Sequence, residues 1–274
     1  MKSFQSVLIV GCGNMGGAML AGWLASGLAP SIFTIVDPAL QEAPAGVALL
    51  RELPDADFDA IMLGVKPQLF DAVAPDIERL AGERTVILSI MAGVELVSLA
   101  ARFPRAAGHI RIMPNLAAAL GKSPLGLAGQ HVSDSAKHAV EDLLRPLGSG
   151  EWIDESLFDL VTALAGSGPA FVYRFIDALA SGAESLGMPR AQADRLALAM
   201  VEGASALAAA SDVTPAELAR RVTSPGGTTA AGLKVLDEGH ALAELVEATL
   251  RAARDRGAEM AAAARASMPE GHKT

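Results

Sequence analysis

The chain has 274 residues, a formal net charge of −9, a hydrophobic fraction of 51% and a mean hydropathy of +0.35. That length suits one large or two ordinary domains, and the acidity argues against nucleic acid as a partner. No apolar run reaches the 18 or so residues of a membrane span, and the N-terminus lacks a basic region followed by an apolar stretch and cleavage site, so a cytoplasmic location is expected.

Much of the apolar content is alanine and aromatics are only 4%, which favours closely packed helices over a β-sandwich. In chain order, the first half alternates strand and helix signals. Strands are predicted at Val7–Val10, Ile32–Val36, Asp59–Val65, Thr85–Ile90 and His109–Met113, with a short one at Gly150–Ile153. Helices are predicted between them at Met15–Ser26, Gln68–Leu80, Val94–Arg102 and Ser135–Leu147, the last opened by Ser133-Asp134. This alternation reads as an α/β, doubly wound parallel sheet of the Rossmann type. From Ser156 onward no strand is evident. Helices are predicted at Phe158–Leu164, Ala170–Leu186, Arg190–Ala209, Pro215–Val222, Thr228–Asp237 and Ala241–Ala264, with Thr214-Pro215 as a helix start. The expected division is a dinucleotide-binding domain over 1–160 and an all-α substrate-binding and dimerisation domain over 161–274. Helices this rich in Ala, Gly and Leu suggest a homodimer with a core-like interface.

Val7-Leu8-Ile9-Val10 runs into Gly11-x-Gly13-x-x-Gly16 at the start of a helix. Free amides and the helix dipole there suit a diphosphate. Gly11 allows the tight turn, Gly13 close approach of phosphate, and Gly16 helix–strand packing. Asp37 ends the second strand, close to the spacing of a carboxylate that binds the ribose hydroxyls. A carboxylate there repels a 2′-phosphate, which favours NADH over NADPH, and no arginine sits in the loop directly after it. Cys12, the single cysteine, reads as a small filler. No metal site is expected. The histidines (His109, His131, His138, His240, His272) are scattered and read as surface or capping residues. Lys66 suits either a nucleotide rim or a solvated strand end.

Two polar, glycine-bearing turns stand out in the apolar half: Gly166-Ser-Gly-Pro-Ala-Phe171 and Thr223-Ser-Pro-Gly-Gly-Thr-Thr229. Hydroxyls and free amides at a helix start can hold a carboxylate. Plain capped turns fit equally on spacing, since Ser224 and Thr228 are both good N-caps.

The stretch from Leu218 to Asp237, with Ser-Pro-Gly-Gly-Thr-Thr at its centre, closely resembles the C-terminal signature of the pyrroline-5-carboxylate reductase family. Val10–Gly16, Val65-Lys66-Pro67, Ala92-Gly93-Val94, Met113-Pro114-Asn115, Gly166–Phe171 and Gly187–Arg190 match the family's other landmarks in order. The resemblance implies reduction of 1-pyrroline-5-carboxylate to L-proline with NADPH or NADH, the last step of proline synthesis. It also implies intertwined dimers, possible decamers, and a helical second domain. Carried onto this chain, Gly11, Gly13, Asn14, Met15, Gly16, Asp37, Val65, Lys66, Pro67, Ala92, Gly93 and Asn115 bind the cofactor. Ser224, Gly226, Gly227, Thr228 and Thr229 bind the substrate, with Thr229 as the catalytic residue, near the imine nitrogen and hydrogen-bonded to it. Leu116-Ala117 replaces the family's usual Thr-Pro. Catalysis requires the glycine elbow and the 224–229 bend to share a cleft, in the subunit or its assembly.

Reducing a cyclic imine needs alignment and exclusion of water more than a covalent catalyst. That suits the lack of a His–Asp or lysine-based set. A 6-phosphogluconate-dehydrogenase-like enzyme is the alternative within oxidoreductases, but the helix Phe171–Leu186 lacks its lysine. A non-catalytic NAD(P)-responsive dimer is the alternative outside enzymes, and the intact 224–229 turn argues against it.

Overall fold

The structure is a computed structural model that describes residues 3–266. Eight strands form one sheet: β1 Val7–Val10, β2 Phe33–Val36, β3 Ala48–Leu50, β4 Ala60–Leu63, β5 Val86–Ser89, β6 Gly108–Met113, β7 Ser123–Gln130 and β8 Gly148–Trp152. Their order across the sheet is β3-β2-β1-β4-β5-β6-β7-β8. The central strands β1, β4 and β5 are buried on both faces, so they read as unbroken apolar runs and not as alternating ones.

Four helices cover the sheet: α1 Asn14–Ala25, α2 Phe70–Glu78, α3 Leu96–Arg102 and α4 Asp134–Leu144. One face packs Met19, Trp23, Val140 and Leu144 against the sheet. The other packs Phe70, Ile77, Leu99 and Phe103. This is the doubly wound arrangement that alternation in the sequence predicts, with one correction. β7 runs antiparallel to β6, and β8 runs parallel to β7, so the sheet is mixed at that edge. Neither β3 nor β7 is among the strands predicted from sequence. β7, SPLGLAGQ, has no β-branched or aromatic residue, which removes the usual strand signal. Its glycines serve packing: a Cβ on Gly126 would come within 2.5 Å of Val161 Cγ1.

After β8 the chain is helical among the described residues. The elements are α5 Phe158–Val161, a wide π-type turn over 162–166, α6 Gly168–Ser185, α7 Arg190–Ala209, α8 Pro215–Arg221, α9 Thr228–Asp237 and α10 Ala241–Ala266. Thr214 caps α8 as expected, accepting from Glu217 N. α6 and α7 pack through Ala180, Ala193 and Ala197, small residues that allow close approach.

The chain divides into two compact units, one running to Ser167 and taking in residues from Ala252 onward, the other Gly168–Arg251. The expected division at 160/161 assigns all of α10 to the second domain. The structure instead joins the end of α10 to the sheet unit. Gly257 and Gly93 are the reason: a Cβ on Gly257 would lie 3.3 Å from Asp159 Oδ1, and one on Gly93 3.4 Å from Ala261 N.

Candidate active site

The sheet order reverses direction at β1, between β2 and β4. Ligands bind at such a switch point, outside the carboxyl ends of the strands. The β1–α1 turn lies there. Gly11 N donates to Val36 O at 2.9 Å, and Gly64 N to Val10 O at 2.8 Å. Gly11 has φ +83, and a Cβ on it would stand 2.8 Å from Val65 N. Only glycine fits.

Gly13 differs. It is the N-cap of α1 at φ −71, it is exposed, and a Cβ added to it would meet nothing within 4 Å. The first-turn amides of α1, from Asn14 and Met15 onward, follow it, and such N-terminal amides lack intrahelical partners. The structure therefore presents an open, donor-rich cradle where a diphosphate fits. Gly16 is buried, and a Cβ there would lie 3.3 Å from Gly11 O.

Asp37 follows β2. Its Oδ2 accepts from Cys12 N at 2.9 Å, and its Oδ1 from Ala39 N and Leu40 N at 2.8 and 3.2 Å. Partial burial opposes its charge. The bonds from Cys12, Ala39 and Leu40, with the nearby Arg51 cation, outweigh that and hold its carboxyl below the usual carboxylate range. Cys12 is buried, and burial first and the Asp37 charge second push its thiol up to about 11. It is an inert filler at neutral pH.

Arg51 joins the site without any local sequence signal to mark it. β2–β3 pairing sets Val36 opposite Leu50, so the next residues, Asp37 and Arg51, fall side by side. Arg51 Nη1 donates to Asp37 O at 2.8 Å and also to Leu40 O, and Nη2 to Gln41 O at 3.4 Å. A cation thus clips the Asp37 loop from 14 residues away.

Val65 is half-buried and Lys66 exposed, the latter as N-cap of a short 3-10 turn over Pro67–Leu69. Ala92 and Gly93 follow β5, whose register continues as Ile90 N donates to Leu63 O. The structure therefore brings Gly11–Gly16, Asp37, Val65–Pro67 and Ala92-Gly93 to one edge of the sheet. Ala92 and Gly93 also border a cavity of about 260 Å³ lined by Asp159, Thr162, Ser167 and α10 residues.

Asn115 is also at this edge, after β6, but it is buried and its side chain is engaged internally. Its Nδ2 donates to Ala165 O, and its Oδ1 accepts from Ala117 N, both at 2.9 Å. It ties the β6 end to the 162–166 turn. His109 departs from the surface role expected of it: it is 3% exposed, with Nε2 3.0 Å from Phe103 O. His131 and His240 occupy left-handed turns at φ 56 and 62. His272 lies outside the described residues.

In the other unit, Gly226 has φ +71 and Gly227 N donates to Ser224 O at 3.1 Å, closing a tight turn. Gly227, and neither Ser224 nor Thr228, is the N-cap of α9. A Cβ on Gly227 would strike Ser224 Oγ at 2.5 Å. Thr228 and Thr229 open the helix, and both are exposed, as is Ser224. The bend gathers hydroxyls and helix-start amides without a lysine or arginine. Among the described residues no cluster of metal-binding side chains occurs, and no helix is long and apolar enough to cross a membrane.

Comparison with known proteins bears on both halves. The family described as NADP oxidoreductase, coenzyme F420-dependent, matches residues 6–93. Pyrroline-5-carboxylate reductase dimerisation matches residues 155–260. A pyrroline-5-carboxylate reductase of Pseudomonas aeruginosa is 36% identical over 268 residues, covering 94% of this chain and 98% of that protein. This chain belongs to the pyrroline-5-carboxylate reductase family. The family's member from Methanosarcina acetivorans is 32% identical, over 90% of this chain and 95% of its own. Among solved structures, the pyrroline-5-carboxylate reductase of Coxiella burnetii superposes with a TM-score of 0.86 at 28% identity, covering 93% of this chain and 98% of that one. The Streptococcus pyogenes structure gives 0.77 at 31%, with the same coverage. The family's NADP-linked first half and dimerisation second half correspond to the α/β and all-α halves of this fold.

Proposed function

We propose that this chain reduces 1-pyrroline-5-carboxylate to L-proline with NAD(P)H, as the final step of proline biosynthesis. The observation that carries the cofactor half is Gly13. It leaves open space at a helix start, beside a carboxylate anchored to the same turn through Cys12 N. Family membership supplies the substrate half.

Gly11, Gly13, Asn14, Met15 and Gly16 hold the diphosphate, and Asp37 the adenosine ribose. Val65, Lys66, Pro67, Ala92 and Gly93 line the nicotinamide side, with Asn115 fixing the floor behind it. The bound reduced nicotinamide supplies the hydride. Ser224, Gly226, Gly227, Thr228 and Thr229 hold the substrate carboxylate through amides and hydroxyls. Thr229 directs its hydroxyl at the ring nitrogen. An alcohol is a poor acid, so Thr229 does not deliver the proton; its Oγ orients and stabilises the protonated imine by accepting a hydrogen bond from the ring N–H.

Asp37 and Arg51 act in opposite directions on a 2′-phosphate. The ionised Asp37 repels it, whereas Arg51 attracts it. Arg51 is held back on the loop carbonyls of Asp37, Leu40 and Gln41, whereas Asp37 sits against the Cys12 amide of the glycine turn, and that placement favours NADH of two usable cofactors. Exposed apolar residues such as Tyr173 on α6, Leu196 on α7 and Leu245 on α10 support a homodimer; a cytoplasmic location and a pentamer of dimers are part of the same reading and rest on the family resemblance alone.

The test of the site is Thr229→Ala. No hydrogen bond of the fold uses its hydroxyl among the described residues. Cofactor affinity and melting temperature should stay put, while kcat with pyrroline-5-carboxylate falls by about 10²-fold, the scale of one lost transition-state hydrogen bond. An unchanged kcat removes Thr229 from the mechanism.

A further inference from the structure

β6 is buried along its whole length, yet it carries Arg111, 3% exposed. Its guanidinium lies 3.7 Å from the centre of the Phe158 ring, and Nη1 donates to Glu155 Oε1 at 2.9 Å. The same Oε1 accepts from the backbone N–H of Leu96 at 2.7 Å. Leu96 is the first residue of α3, so Glu155 caps that helix from a distant part of the chain.

Between β5 and α3 runs the turn that holds Ala92 and Gly93. Ser89 Oγ and Leu63 O fix its start, accepting from Met91 N and Ile90 N at 3.3 and 3.1 Å. Glu155 fixes its end, at Leu96. Glu155 Oε1 thus joins the Leu96 amide to Arg111 on β6 through one oxygen.

Stability does not account for the pair. Arg111 is buried and Glu155 is one-third exposed, and such a pair returns little more than it costs to take its charges out of water. Arg111 Nε is buried with no hydrogen-bond partner, a further cost. What an apolar pair cannot do is accept a bond from a backbone amide. We propose that Arg111 and Glu155 are positioning residues for the reduction. Glu155 pins the end of the Ala92-Gly93 turn, and Arg111 holds the Glu155 carboxylate in place through the 2.9 Å contact. The turn then sets where the reactive ring rests. This rests on the reading above that Ala92 and Gly93 line the nicotinamide. Misplacement of about 1 Å in such a step can cost about 10²-fold.

Two variants test it. Arg111→Met/Glu155→Leu removes both charges together and keeps the interior apolar. Leu96→Pro deletes the donated N–H, at a first-turn position that tolerates proline, and leaves the ion pair intact, while Leu96→Ala controls for the buried leucine side chain that it also removes. Melting temperature, cofactor KM, kcat and the isotope effect with 4-deuterated NADH are measured. The double variant leaves the Leu96 N–H without its acceptor and should melt within a few degrees of wild type, yet lose about ten- to hundredfold in kcat, with cofactor KM within about twofold and a larger isotope effect. Leu96→Pro should show the same kinetic pattern. Wild-type kcat in a folded double variant, or in Leu96→Pro, overturns the proposal. If the double variant does not fold, Leu96→Pro decides alone. Wild-type enzyme that turns over while the variants match it sinks only this proposal. Wild-type enzyme that fails to oxidise either cofactor sinks the functional reading, and this proposal with it.

Discussion

Two glycines in one turn separate the fold from its use. At Gly13 a methyl group meets nothing within 4 Å, and the backbone is extended at φ −71. Gly13→Ala should therefore keep the fold and stay within about 1 kcal/mol of wild-type stability, since the stiffer unfolded chain offsets the poorer N-cap that alanine makes. The same methyl occupies the space a diphosphate would enter. Cofactor affinity should fall by about tenfold or more, which corresponds to about 1.4 kcal/mol or above. At Gly11 the fold suffers instead. A side chain there adopts φ +83 and drives its Cβ to 2.8 Å from Val65 N and 2.9 Å from Gly64 C. The left-handed conformation alone costs about 1–2 kcal/mol. The backbone collision adds about 1–3 kcal/mol, as overpacking does. Gly11→Ala should lower the melting temperature by roughly 4–20 °C, at about 2–4 °C per kcal/mol. Thermal melts together with NADH fluorescence titrations read both. Gly13→Ala binding NADH as tightly as wild type would refute the placement of the diphosphate.

Asp37→Asn removes the charge and also replaces one accepting oxygen with an NH2, so bonds from Cys12 N or from Ala39 N and Leu40 N are lost, which should weaken both cofactors alike. It should raise the ratio of kcat/KM for NADPH over NADH by about tenfold, a modest share of the Coulomb energy of two nearby charges; an unmoved ratio in steady-state kinetics would show that Asp37 does not read the ribose. Cys12, buried with its thiol pushed up to about 11, should resist iodoacetamide at pH 8 in the native protein and react on unfolding, as mass spectrometry can follow. His109 is lowered in pKa, first by burial and also by His131, against the Phe103 carbonyl. The folded state keeps it neutral, while the unfolded chain binds a proton below about pH 6.5. Its contribution to stability is thus present above that pH and is lost as pH falls below it. Urea midpoints should drop between pH 7 and 5.5, and His109→Gln should flatten that slope.

Much of the fold is legible in the sequence because its signals are local. Val7–Val10 and Arg190–Ala209 are bounded in the structure as the sequence bounds them. β7 is not, because its glycines and Pro124 answer to Val161 and to strand neighbours, not to strand propensity. Pro124 itself lies ahead of the β6 ladder, which begins at Gly126, so its missing N–H breaks no bond to β6. The glycine elbow and Asp37 are readable from spacing. Arg51 is not, since only β2–β3 register brings it beside Asp37. The Arg111–Glu155 pair spans 44 residues and offers the sequence only half a clue: a charge inside the apolar run His109–Met113 demands a buried partner somewhere.

The central claim is tested most directly by oxidation of NADH and of NADPH, followed side by side at the reduced-nicotinamide band with pyrroline-5-carboxylate as acceptor. Both should be consumed only when the imine is present, NADH with the higher kcat/KM, and proline should form in equal amount. Absence of imine-dependent oxidation with either cofactor, from protein shown to be folded, would contradict the assignment.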